Sequence, residues 1–357
     1  MLKSAHLVKD LEERAIRSIS ELLDQIPAIS HVRLEERPED LAVDFLMQLD
    51  LEGQDHWIAV EVLSAAQPRD VRREAWRLRN EAASNGPTTT PVVVAPYLSP
   101  ESRDVCREEG IGYLDLEGNA RIVFEGVFIE RQVASRPAAE RRALKSLFKP
   151  KAARILRLLL RDPERAWRVQ ELADAAQVSL GQVSNVRKGL VEREWAEASH
   201  QGLVLSRPGV LLDAWRADWE PPGKVFRFYT TLHGSAFQEA VRPLLAVESE
   251  DGRAVLSSFS AARWQAPFGR TGMEYLHADA DGLERLQRGL RLTTTSRGEN
   301  VAVTMPKDPG LFLDAVEPAP GFFCTSPVTT YLELAAAGER GREAAEHLRE
   351  ECMPWAR

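Results

Sequence analysis

Two breaks constrain what this chain can fold into more than any other feature: ASRPAAERR at 134–142 and WEPPG at 219–223. Both read as linkers, because proline fixes φ and removes a backbone donor among residues that are small or charged. They divide the 357 residues into three blocks, 1–135, 136–218 and 219–357. Two or three domains is also what this length implies.

The blocks differ in charge. From Arg136 to Arg193 there are fourteen Lys and Arg against six acids, a balance of +8, so a chain of net charge −8 carries −16 elsewhere. A basic island between acidic blocks points to a local polyanion site. The competing reading is that half of these charges are solvated helix faces. With 44% hydrophobic and 28% charged residues the composition suits ordinary packed cores and excludes disordered and collagen-like chains. No apolar run reaches the roughly 18 residues of a membrane span, and the charged N-terminus lacks the apolar centre of a signal peptide. Cys106, Cys324 and Cys352 are too scattered for a disulfide framework or a CxxC zinc site. The expectation is a cytoplasmic protein without a membrane partner.

In the first block Leu11, Ala15, Ile19, Leu22 and Ile26 recur at helical spacing up to Pro27. Extended stretches follow at 31–35, 43–50 and 56–63, then a charged helix at 69–83 and the apolar run 91–95 of buried-strand type. A helix opening at Ser99-Pro100 and strands at 113–116 and 120–129 complete the order αβββαβ, then αββ. The middle block shows helices from Pro150, at 169–176 and at 179–194, then a hairpin over 195–205 turning at Gln201-Gly202. In the last block strand-like 225–232, 272–278 and 300–304 alternate with helical 235–245 and 283–290, ahead of two final helices, which reads as α/β or α+β.

Three helices and a hairpin in the middle block form the pattern of a winged helix-turn-helix. Its third helix opens with Ser179-Leu180-Gly181-Gln182, a capping box, and Val183, Val186 and Leu190 define the buried face. Gly181, Asn185 and Lys188 then point away, Ser184 lies outward to one side, and Gln182 and Arg187 flank the face. Asn and Gln pair bidentately with adenine, Lys reaches guanine or phosphate, and glycine admits close backbone approach. These residues, with Ser179 and with His200 and Gln201 at the hairpin tip, are the candidate contacts to double-stranded DNA. Two plainer readings stay open: Gln182 bonds the helix cap, and the His200–Gln201 turn is merely solvated. Trp167, Trp195, Trp215 and Trp219 read as packing residues rather than base-stacking platforms.

The αβββαβ order of the first block resembles the restriction-endonuclease-like, PD-(D/E)XK, fold. That chemistry needs an Asp on one strand and E-x-K on the next, the carboxylates holding Mg²⁺ and the Lys supporting the attacking water. Asp44 and Glu61 fall in the carboxylate places, but Leu63 stands where the lysine belongs, and no Lys occurs between Lys9 and Lys145. Asp44 and Glu61 are therefore vestigial metal-ligand candidates in a domain expected to bind or pack rather than cleave. The alternative is a Mg²⁺-dependent nuclease or repair factor that uses them. No G-x-S-x-G, Walker loop, G-x-G-x-x-G or H-E-x-x-H occurs. The histidines are scattered; His31 and His56, near extended stretches, read as structural. No catalytic residue, cofactor or metal is expected.

The segments VVVAPYLSPESRDVCREEGIGYLDLEGNARI, ELADAAQVSLGQVSNVRKGL and TSPVTTYLELAAAGERGREAAEHLRE resemble bacterial transcriptional regulators of the AbiEi antitoxin type, from type IV toxin–antitoxin systems. The resemblance implies a non-enzymatic protein whose winged helix represses its own promoter. It also implies a nucleotidyltransferase-like toxin that the antitoxin need not touch. The best-known members carry the winged helix near the N-terminus; here a nuclease-like block precedes it. A homodimer reading two half-sites is expected. A protein-interaction scaffold is the remaining alternative. From charge alone, a fragment spanning 136–208 is expected to bind duplex DNA more tightly than either flank.

Overall fold

The computed structural model describes residues 2–36, 42–134, 136–248, 252–269, 271–294 and 297–356. The described residues form thirteen α-helices and three sheets, a mixed α/β architecture. Contacts group the chain into two compact units, one of Met1–Arg142 with Glu192–Glu194 and the other of Ala143–Val191 with Trp195–Arg357.

The first unit is a seven-stranded sheet whose strands lie side by side in chain order. Helix α1 (Leu2–Leu23) precedes the antiparallel meander β1 (Ile29–Glu36), β2 (Phe45–Leu51) and β3 (Gln54–Val62). The β2–β3 turn places Glu52 and Gly53 at φ 52° and 88°, the paired left-handed conformations of a tight hairpin. Helix α2 (Pro68–Asn85) then crosses over to β4 (Thr89–Ala95), parallel to β3, and α3 (Pro100–Glu108) leads to β5 (Gly112–Asp115), parallel to β4. Strand alternation sorts the side chains. Met47, Leu49, Ile58, Val60, Val92 and Val94 pack with Ile19 and Leu23 of α1, while Leu46, Ala59, Val93 and Tyr113 pack with Val71, Leu78 and Val105 of α2 and α3. Val92–Ala95 is buried on both faces, which is why it reads as a continuous apolar run. The stretch expected as one strand at 120–129 is instead a hairpin of β6 (Ala120–Phe124) and β7 (Val127–Arg131), turned by Glu125 and Gly126 at φ 32° and 87°. The side chain of His31 lies outside the described residues. His56 is buried, stacked on Phe124 at 4.4 Å, with Nε2 2.9 Å from the Thr90 hydroxyl.

The linker at 134–142 is helical in its second half, where α4 (Ala138–Leu147) begins. Helices α5 (Pro150–Arg161), α6 (Val169–Ala176) and α7 (Leu180–Glu192) follow, then the hairpin β8 (Ala196–Ala198)–β9 (Leu203–Leu205) and α8 (Pro208–Ala217). Proline at the first turn starts both α5 and α8, where its missing N–H has no helical partner to lose. These elements do not close a core alone. Ile155, Leu156, Leu172, Val186, Leu190 and Trp215 share one hydrophobic cluster with Tyr331, Leu332 and Leu348, which belong to α12 (Pro327–Ala335) and α13 (Gly338–Cys352). The 219–223 linker therefore runs inside the second unit rather than between units.

The remaining sheet has six strands in the order β10-β13-β12-β11-β15-β14. They are β10 (Gly223–Phe228), β11 (Ala254–Leu256), β12 (Glu274–Ala278), β13 (Val301–Pro306), β14 (Val316–Ala319) and β15 (Phe322–Cys324), with parallel and antiparallel pairs alternating. Phe228, Leu256, Leu276 and Val303 pack with Phe237 of α9 (Gly234–Val241) and Leu286 of α11 (Ala280–Gly289). Helix α10 (Ser258–Gln265) follows β11 directly. The three cysteines are free, and among the described residues no helix is long and apolar enough to cross a membrane.

Candidate nucleic-acid interface

Helix α7 is held by the residues that its spacing selects. Val183, Val186 and Leu190 are buried, fixing which side faces the core. Gly181, Ser184, Asn185, Arg187 and Lys188 are exposed on the other side, and Gln182 is half-buried at the edge. Gln177 ends α6 in the left-handed conformation, φ 52° and ψ 53°, and the chain re-enters helix at Leu180, three residues after it. Exposed Ser179 caps α7, its Oγ accepting a hydrogen bond from the Gln182 N–H at 3.2 Å. Only this half of the capping box forms: the Gln182 side chain makes no hydrogen bond to the Ser179 backbone. Its amide is thus not occupied by the cap. At the helix's other end Gly189 permits close packing, since a Cβ there would stand 2.9 Å from a Leu147 methyl carbon.

The hairpin beside α7 is braced by a third short segment. Trp167 and Leu203 exchange backbone hydrogen bonds at 2.9 Å each. Gly202 makes this approach possible, because at φ 142° a Cβ would lie 2.6 Å from the Trp167 carbonyl oxygen. At the tip the Ser199 N–H donates to the Gly202 carbonyl at 2.9 Å, the Ser199 Oγ accepts from the Gln201 N–H at 3.1 Å, and His200 and Gln201 are exposed. Trp167 and Trp195 are buried and Trp215 is almost fully so, consistent with packing roles.

The basic island is less free than its balance of +8 implies. Arg154 binds Asp308, holding that carboxyl below its ordinary value, and Arg157 binds Asp314 at 3.0 Å. Arg193 pairs with Glu140 at 2.8 Å, Lys145 with Glu220 at 2.8 Å, and Arg165 with Glu171. In the second unit Lys149, Lys151, Arg161, Arg168 and Arg187 are exposed and form no ion pair among the described residues. Sequence reading did not single out Arg168, the N-cap residue of α6, or Arg165, whose guanidinium lies 3.7 Å from the Trp167 ring centre. Both were visible only as members of a charge count. Their placement at the foot of α6 depends on the Trp167–Leu203 bridge, which no local pattern announces.

In the first unit Asp44 and Glu61 do come together across β2 and β3. The Asp44 Oδ2 accepts the Val62 N–H at 2.7 Å. Glu61 is bound by Arg77 of α2 at 2.6 Å, and burial together with the nearby Asp44 charge pushes its carboxyl up against the pull of that arginine. Leu63 is half-buried against the α2–α3 side of the sheet. The two carboxylates are thus engaged by a backbone amide and a guanidinium. Among the described residues no group of three or more His, Cys, Asp or Glu is placed to hold a metal ion. Compared with known proteins, the chain matches no family model, no curated protein and no solved structure.

Proposed function

We propose that the chain is a sequence-specific, double-stranded-DNA-binding transcriptional regulator, with α5, α6, α7 and β8–β9 acting as a winged helix-turn-helix. The observation that carries this reading is the exposed polar face of α7, Gly181, Ser184, Asn185, Arg187 and Lys188, opposite a fully buried apolar one. A groove-reading helix needs this division: one side anchored, the other offering amide, hydroxyl and cationic groups to base edges and phosphates. Exposed Arg168 and the hairpin tip supply further backbone contacts. Titration on the promoter upstream of the protein's own gene, with scrambled duplex as control, tests it. Preference for the promoter at physiological salt is expected; equal affinity for both overturns specific regulation.

The resemblance to AbiEi-type regulators extends the proposal to an autoregulating antitoxin of a type IV system, acting as a homodimer in the cytoplasm. Its toxin would be a nucleotidyltransferase-like protein that it need not touch. A nucleotidyltransferase-like gene adjacent to this one supports that extension; an isolated gene argues for a stand-alone regulator. For residues 1–135 we propose a restriction-endonuclease-like domain that does not cleave. The α1-β1-β2-β3-α2-β4 order supports the fold assignment, and the Arg77–Glu61 pair with Leu63 beside it supports the loss of activity. Incubation of supercoiled plasmid with Mg²⁺ or Mn²⁺ should leave it intact. Cleavage that disappears in Glu61→Ala overturns this assignment.

A further inference from the structure

A cavity of about 360 Å³ lies within the second unit, where the α4–α5 junction meets the end of α8 and the 219–222 segment. Its size falls in the range of small-molecule sites. The walls are aromatic. Trp215 and Phe148 are parallel, their ring centres 5.8 Å apart, and Trp219 meets Trp215 edge-on at 6.2 Å. Of the lining aromatics Trp215 is buried, whereas Phe148 and Trp219 are half-buried.

The segment carrying Trp219 is held in place. Pro221 and Pro222 restrict it, the Pro222 carbonyl accepts the Lys307 N–H at 2.9 Å, and Gly223 packs so closely on Met305 that a Cβ would overlap its carbonyl oxygen. The cavity is therefore preformed, which limits the ordering cost of filling it.

Its charges are unevenly matched. Lys145 is paired with Glu220, Arg157 with Asp314, and Asp308 with Arg154. Lys149 and Lys307 are exposed lining residues without an ion pair among the described residues. Glu220, paired with Lys145, also feels the Lys307 charge, and Asp218 lines the cavity with its Oδ2 buried and without a hydrogen-bond partner. Lys149 is also the N-cap residue of α5 and makes no side-chain cap bond, so the positive end of that twelve-residue helix opens at the same place.

We propose that this cavity binds a planar aromatic anion, its ring against Phe148 and Trp219 and its negative group at Lys149 and Lys307. A neutral ring would leave the lysines unused, and a bare anion would leave the aromatic walls uncovered. Such binding does not depend on whether α7 reads DNA.

Calorimetric titration of the intact protein with guanosine 5′-monophosphate, indole-3-acetate, guanosine and inorganic phosphate tests the proposal. At least one of the two aromatic anions should bind with one-to-one stoichiometry, at least tenfold more tightly than guanosine or phosphate. The double variant Lys149→Gln, Lys307→Gln changes only exposed side chains and should weaken that binding about tenfold. Trp219→Ala should abolish it, with Trp219→Phe retaining it and controlling for folding. Absence of binding by both aromatic anions up to about 1 mM, equal binding of guanosine or phosphate, or indifference to the lysine changes would each overturn it.

Discussion

Replacing Val186 by alanine removes two methyl groups from a side chain that is 1% exposed, and should cost about 2 kcal/mol of unfolding free energy in urea. Asn185, its chain neighbour, is exposed, so Asn185→Ala should leave stability within about 0.5 kcal/mol. On the proposed function it should instead lower discrimination between promoter and scrambled duplex by about 1–3 kcal/mol. A stability loss at Asn185 matching that at Val186 would show the helix turned the other way. His56 supplies a pH test. Burial lowers its pKa from the ordinary 6.5 despite the nearby Glu125, so the folded protein favours the neutral ring while the unfolded chain takes up a proton. The stability it contributes is present above pH 6.5, and falls as pH drops below that value and through the lower folded-state pKa. Urea midpoints at neutral and mildly acidic pH should diverge in the native chain and diverge less in His56→Gln. At this scale the outward positions of α7 were legible because 100° per residue needs no tertiary knowledge. Arg154 and Arg157 were not: their partners, Asp308 and Asp314, lie more than 150 residues away, and nothing local separates a buried guanidinium from an exposed one.

Among the elements, the β8–β9 hairpin rests on one glycine. Gly202→Ala would drive a Cβ into the Trp167 carbonyl at an already left-handed φ, and should destabilise by roughly 1–3 kcal/mol, read as a lower urea midpoint. Ser199→Ala, which removes a hydroxyl from an exposed turn, is the comparison and should cost under about 1 kcal/mol. Equal costs would mean that the close approach is not what requires glycine. The same contrast explains which elements the sequence disclosed. Helix α6 was readable at Val169–Ala176 because its apolar spacing and its turn residues agree, and β4 because four consecutive buried residues leave no other role for Val92–Ala95. Strands β11, β14 and β15 have only three or four residues each, too few for a period to emerge, and they are strands because neighbours in the sheet supply their hydrogen bonds. Helix α8 has no counterpart in the sequence pattern beyond the hairpin, although Pro208 marks its first turn.

Across the whole molecule, block boundaries drawn from proline and charge miss the shared core of the second unit. The middle helices bury their apolar faces partly against Tyr331, Leu332 and Leu348, so a fragment spanning 136–208 is not self-contained, and its expected DNA affinity cannot be read from its charge alone. Arg157 further ties α5 to Asp314, with side chains 7% and 3% exposed. Asp314→Ala should destabilise the intact protein by about 3–5 kcal/mol, because it leaves a buried cation unmatched; a change under about 1 kcal/mol in urea unfolding would refute that coupling. Removal of α13 should release amide protection in α5 and α7 together, as seen by hydrogen exchange, and retention of native protection there would contradict the shared core. Chain synthesis adds a timing consequence. Residues that complete the packing around Trp215 are translated more than a hundred positions after it, a delay on the order of ten seconds at ordinary elongation rates. The cluster around Trp215 therefore stays incomplete on the nascent chain until α12 and α13 have been translated, although every residue of α7 is already present.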